Sequence, residues 1–230
     1  MRSVLRFSIR FLPAVVLATA CGDSNNDSPP DAGGCDPATV LPSTFRLIGK
    51  TSTGTVSVTT NAGVTSGKID ATAGGFAMSG DNPYVYVDLK AGAKLAITDL
   101  DARTSSAWDI ALKRASVRSN SGDSGAGDRE LAVVQATTLA EVTAAPASGY
   151  VADDFTTDDC MLDSVGAGEP KTAFGEWYDY DVNLNRLTPK PEVYVIKRSD
   201  GTSTAFRITA YYDPPESSNS AIYSVEWKQL

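Results

Sequence analysis

The 230-residue chain contains no histidine. That removes the commonest general base near neutral pH and the commonest metal ligand. No Ser/His/Asp or Cys/His arrangement is possible, and a zinc site is disfavoured. Methionine and cysteine are scarce, at three each. Positive charge is also short: 20 Lys and Arg stand against 28 Asp and Glu, a net charge of −8. Phosphate backbones and anionic lipid surfaces repel such a chain, so nucleic acid is excluded as a partner. No apolar run is long enough for a permanent membrane-spanning helix.

The one concentrated apolar run lies at the front. Arg2, Arg6 and Arg10 precede FLPAVVLATA (residues 11–20), and Cys21 follows the small residues Ala18, Thr19 and Ala20. The pattern resembles a bacterial lipoprotein signal over residues 1–20, with Cys21 as the lipidated residue. It departs from the usual form, since Leu17 stands four residues before the cysteine rather than three. An ordinary secretory signal cleaved nearby is the alternative, and both export the protein. Losing residues 1–20 leaves 17 basic against 28 acidic residues, a net charge of −11. Residues 21–37 are polar and rich in Gly, Pro, Asp and Ser, as a flexible tether requires. With Cys21 acylated, Cys35 and Cys160 remain. In an oxidising compartment they are expected to form a disulfide; the alternative is two free thiols.

Residues 38–230 read as a single domain. Their apolar pattern has period two: Val85, Val87 and Leu89 in PYVYVDL; Trp108, Ile110 and Leu112 in AWDIALK; Tyr223, Val225 and Trp227 in IYSVEWK. Such alternation predicts one face on a core and the other toward solvent. Asp200-Gly201 inside VYVIKRSDGTSTAFRITAYY predicts a tight hairpin. Helical signals reduce to a turn or two near Thr138–Ala144, before Pro146. The expected fold is all-β, a single antiparallel domain with little helix.

Candidate chemistry is thin. The aspartates at 153, 154, 158, 159 and 163 read as a solvated acidic loop, and their spacing does not match an EF-hand. The Gly/Ser-rich stretch Ser119–Gly127 lacks the Lys-Ser/Thr ending of a phosphate-binding loop and reads as a flexible hairpin loop. The aromatic residues Trp177, Tyr178 and Tyr180, with Tyr211 and Tyr212, suit either core packing or the lining of a flat ligand's pocket.

Three ordered blocks carry a resemblance: YVYVDLKAG, AWDIALKRASVRSNSGDSGAG and WYDYDVNLNRLTPKPEVYVIKRSDGTSTAFRITAYY. Together, over Tyr84 to Tyr212, they resemble the HmuY family of outer-membrane haem-binding lipoproteins. The resemblance implies an all-β, non-enzymatic binding protein, lipid-anchored at a bacterial outer membrane or cell surface. Loops at one end would pinch haem or a related porphyrin and pass it to an outer-membrane receptor, for iron acquisition. In that family two axial histidines or methionines hold the iron. Here a histidine pair is impossible, and only Met78 and Met161 follow the signal. The candidate haem-binding residues are Met161, Tyr178 and Tyr180, with Met161 alternatively a gap-filling contact. The competing reading is a surface lipoprotein of the same fold that has lost haem and binds another ligand or a protein.

Overall fold

The computed structural model describes residues 34–166 and 168–230. The expected signal (1–20), Cys21 and the tether up to residue 33 lie outside the described residues. Among the described residues fourteen strands follow one another: β1 (Val56–Asn61), β2 (Val64–Asp70), β3 (Val85–Asp88), β4 (Ala93–Leu95), β5 (Ile110–Lys113), β6 (Ser116–Ser119), β7 (Leu131–Val134), β8 (Ser164–Val165), β9 (Glu169–Pro170), β10 (Tyr178–Asp181), β11 (Arg186–Pro189), β12 (Val193–Lys197), β13 (Ser203–Tyr212) and β14 (Ser220–Gln229). The α-helices are single turns, α1 (Pro37–Val40) and α2 (Asp99–Ala102). The helical signal near Thr138 is a short 3-10 turn at Leu139–Glu141.

A six-stranded sheet has the order β1-β2-β14-β13-β12-β7, and a four-stranded sheet the order β4-β3-β5-β6. Both are antiparallel throughout. The expected hairpin is β12–β13, with Gly201 at φ +82° in its turn and Asp200 accepting from Thr202 N at 2.9 Å.

The sheets share one apolar cluster. Val85, Val87, Ile110 and Leu112 come from the four-stranded sheet, and Tyr194, Phe206, Tyr223 and Trp227 from the six-stranded one. Burying each such side chain contributes about 1.5–3 kcal/mol. On β14 the expected alternation holds: Tyr223, Val225 and Trp227 are buried, whereas Ser224, Glu226 and Lys228 are half-buried.

On β3 and β5 neither face meets solvent. Tyr84, Tyr86 and Ala111, on the side opposite the main core, pack in a second cluster with Phe45 and Ala102. Trp108 belongs to that second cluster, edge-on to Tyr86 at 5.1 Å, and not to the side of Ile110 and Leu112. The reason is local: β5 begins only at Ile110, and alternation does not extend back through the bend before it. Asp109 and Lys113, expected toward water, are buried too. Asp109 accepts from Arg129 Nε at 2.9 Å, from Leu89 N at 2.7 Å and from Arg198. Lys113 Nζ donates to Arg46 O at 3.1 Å and sits 5.2 Å from the centre of the Tyr84 ring.

The Ser119–Gly127 stretch is not a flexible loop. Ser119, Asn120, Ser121 and Ser124 are buried. A Cβ on Gly125 would lie 2.4 Å from Asn120 Oδ1 and 2.7 Å from Trp108 Cζ2. Gly122 sits at φ +50°, with space for a Cβ closed by Asp153 O at 2.0 Å. These glycines permit close packing. Nor is Asp153 part of a solvated acidic surface, since it is 1% exposed. It accepts from Ser119 N (3.0 Å), Ser119 Oγ (2.9 Å), Ala173 N (2.8 Å) and the Ser124 hydroxyl. Buried Arg118 donates to that same hydroxyl at 2.8 Å. Asp158 and Asp159 are exposed, as expected. Cys35 and Cys160 form a disulfide with Cα atoms 5.5 Å apart, tying the start of the domain to this loop. Among the described residues no group of three or more His, Cys, Asp or Glu is placed to hold a metal ion.

Candidate functional site

The segment after Asp153's last partner leads directly into a cleft. Ala173 N is held by Asp153, Thr172 Oγ1 donates to Val117 O at 2.6 Å, and Trp177 Nε1 donates to Ala115 O at 2.8 Å. Trp177 is thereby fixed in the main core and does not line the cleft. Tyr178 and Tyr180 follow on β10, which pairs with β11 as a two-stranded ribbon. Period-two geometry puts both tyrosines on one face of the ribbon, Tyr180 opposite Leu187. The ribbon's turn is held by Asp181, whose carboxylate accepts from Asn183 N (2.9 Å) and Leu184 N (3.1 Å).

The end of β13 supplies the other aromatic pair. Tyr211 and Tyr212 are consecutive and would point to opposite faces of a regular strand. The β13–β14 register shifts between Ile208 and Ala210 and again between Ala210 and Tyr212. Such irregularities re-aim side chains, and here both rings are buried, edge to face at 5.1 Å.

Tyr178, Tyr180, Tyr211 and Tyr212 line a cleft of about 790 Å³, within the range of ligand pockets. Phe76, Leu184 and Leu187 add aliphatic and aromatic wall. Tyr180 is about half-exposed, and Leu184 is 70% exposed. Arg186 stacks over Tyr212, its guanidinium carbon 4.0 Å from the ring centre, and donates to Ser217 O at 2.9 Å. Arg114 donates to Ser220 Oγ at 2.8 Å. Glu169, Glu176 and Glu216 bring carboxylates to the same walls.

The hydroxyls are committed. Tyr180 donates to Asn185 Oδ1 at 2.8 Å, and Tyr212 accepts from Leu187 N at 3.0 Å. Burial, with the Glu169 and Glu176 carboxylates nearby, pushes the Tyr178 phenol well up, and its hydroxyl bonds Glu169. Burial likewise raises Tyr211, against the opposing effect of Arg114. Both phenols are thereby held more firmly in the neutral form. The cleft therefore offers a flat apolar ligand the exposed ring of Tyr180 and the side chain of Leu184 over buried tyrosines, with Arg114 and Arg186, both already donating to protein oxygens, as its cations beside three carboxylates.

Of the expected site residues, the structure brings Tyr178 and Tyr180 together. Met161 is elsewhere: it is 64% exposed, beside Cys160, with its backbone N bonded to Thr157 Oγ1, and it does not line the cleft. Arg114, Leu184, Arg186 and Glu169 were not anticipated. For Leu184 and Arg186 the signal was VNLNRL, which supplies apolar and cationic wall although it holds no His, Met, Cys or Tyr.

The family model described as HmuY protein matches residues 81–227, well over half of the sequence and spanning β3 to nearly the end of β14. The chain belongs to the HmuY family. Among solved structures, a lipoprotein candidate from Bacteroides fragilis shares 17% identity at a TM-score of 0.50, covering 76% of this chain and 94% of that one. An apo HmuY analogue from Tannerella forsythia shares 18% identity at 0.48, covering 76% and 98%. An HmuY-like haem-binding candidate from Bacteroides vulgatus shares 21% identity at 0.48, covering 76% and 96%. No curated protein matches. The first of these likenesses supports the antiparallel HmuY-like fold; the ligand of this HmuY-family chain must be argued from its own cleft.

Proposed function

We propose that this HmuY-family protein is an exported binding protein, not an enzyme, that captures haem or a related porphyrin in the tyrosine-lined cleft. One observation carries the reading: family membership coincides with a cleft of about 790 Å³ walled by four tyrosine rings. Aromatic faces bind flat π-systems through offset or edge contacts. Arg186 and Arg114 are the cations positioned for the acidic side chains of a porphyrin. The HmuY-like name of the Bacteroides vulgatus structure supports the haem assignment at the level of the family.

The residues fit the macrocycle and not its iron. Haem iron takes His, Met, Cys thiolate or Tyr. The cleft walls hold only tyrosine from that set, and its hydroxyls are engaged as described. Met161 therefore has no part in this reading, while Tyr178 and Tyr180 serve as ring contacts.

Lipid anchoring at Cys21, a tether over residues 21–37 and delivery to an outer-membrane receptor complete the proposal. The disulfide supports an oxidising, extracytoplasmic location. Titrating haemin into the purified chain tests the binding. Saturation near one equivalent with a changed Soret band is expected, and a spectrum identical to free haemin would refute it. Cys21→Ser should release the protein from membranes; persistent attachment would disprove the anchor.

A further inference from the structure

We propose that the cleft recognises the porphyrin macrocycle and is indifferent to the metal at its centre, so that iron-free porphyrins are ligands in their own right. This rests on the reading of the cleft as the porphyrin site. Four kinds of side chain ordinarily hold haem iron. Histidine is absent from the whole sequence. Met78 and Met161 lie outside the cleft walls. Of the three cysteines, Cys35 and Cys160 are spent in the disulfide and Cys21 is the proposed acylation site. The tyrosines remain: Tyr178 bonds Glu169, Tyr180 donates to Asn185, and Tyr211 and Tyr212 are buried, 4% and 8% exposed.

A tyrosine ligates iron as the phenolate. Forming one at Tyr178 means placing a second negative charge beside Glu169 in a largely buried site. Forming one at Tyr180 breaks its bond to Asn185. Ring stacking, apolar contact and guanidinium–carboxylate pairing make no such demand, because they act on the periphery and faces of the macrocycle. A site built only of these gains nothing from a central metal. The scaffold would thus collect cyclic porphyrins as a class, including biosynthetic precursors that lack iron.

The test compares haemin with iron-free protoporphyrin on the purified chain, haemin by absorbance and protoporphyrin by fluorescence, in one buffer. Dissociation constants within about tenfold of each other, or tighter protoporphyrin binding, are expected. Haemin binding tighter by more than about tenfold would overturn metal indifference and leave the cleft reading standing. Failure of both ligands to bind would overturn both. Tyr180→Phe and Met161→Leu give an independent readout. Each keeps an apolar side chain and removes a donor, so each should leave the Soret position of the haemin complex unchanged. A displaced band in either variant would identify an iron ligand and refute the proposal.

Discussion

Replacing Asp153 with alanine should be among the most damaging single changes to this domain. The carboxylate is 1% exposed and satisfies two donors from Ser119, one from Ser124 and the backbone of Ala173. Through the Ser124 hydroxyl it is also linked to Arg118, which is buried between the rings of Tyr84 and Phe155, 5.1 Å from each. Burial raises the Asp153 pKa, and the hydrogen bonds and Arg118 oppose that rise. Alanine would leave several N–H and O–H groups uncompensated in the interior. Each buried donor left unsatisfied costs about 1–3 kcal/mol, so losing four such bonds should cost about 3–5 kcal/mol in all. Against a typical total of about 5–15 kcal/mol, that is a large fraction. Asp153→Asn keeps the shape and part of the hydrogen bonding, and should lose about 1–3 kcal/mol. Urea unfolding followed by circular dichroism reads both, and the alanine midpoint should fall by about 1–2 M. A loss below about 1 kcal/mol for Asp153→Ala would show that Arg118 and the serines find other partners, and the role assigned to Asp153 would be wrong.

Further tests follow from other parts of the fold. Cys35 and Cys160 are separated by 125 positions, so reducing the disulfide releases a long loop of chain entropy; a stability loss of about 2–5 kcal/mol is expected, and an unchanged urea midpoint would contradict it. Burial lowers Lys113 to about 8, while in the unfolded chain it titrates near 10.4. Across the interval above that folded value the unfolded state holds the extra proton, so stability should climb from about pH 8 to 9.5, by at most about 1.4 kcal/mol per pH unit. Lys113→Met should flatten that limb; a variant with the wild-type slope would reassign it. Gly125→Ala forces its Cβ against Asn120 and Trp108 and should cost about 1–3 kcal/mol by thermal melting, whereas a neutral effect would restore the picture of a loose loop.

The strands were legible where one face meets solvent. On β14 polar and apolar residues alternate because the outer positions are half-exposed, and the Asp200-Gly201 turn carries its own conformational signature. The central strands β3 and β5 misled because both their faces are covered, so period two there separates two cores and not core from water. Charge misled in the same region. Asp109, Lys113 and Asp153 read as surface residues, yet each is buried with partners distant in sequence. Single-chain periodicity carries no information on such pairings. The aromatic half of the cleft was visible as clustered tyrosines. Its arginines and glutamates were not, because β10–β11 and the segments around residues 114, 169 and 216 meet only in the folded topology. The two-register shift that places Tyr211 and Tyr212 together leaves no mark in the sequence beyond their adjacency.

The central claim is that the tyrosine cleft is where the ligand sits. A crystal structure of the chain saturated with haemin tests it most directly. The account predicts the macrocycle against the exposed ring of Tyr180 and the side chain of Leu184, with its carboxylates toward Arg186 and no protein atom bonded to the iron. A macrocycle seated elsewhere, above all one held by Met161, would contradict it.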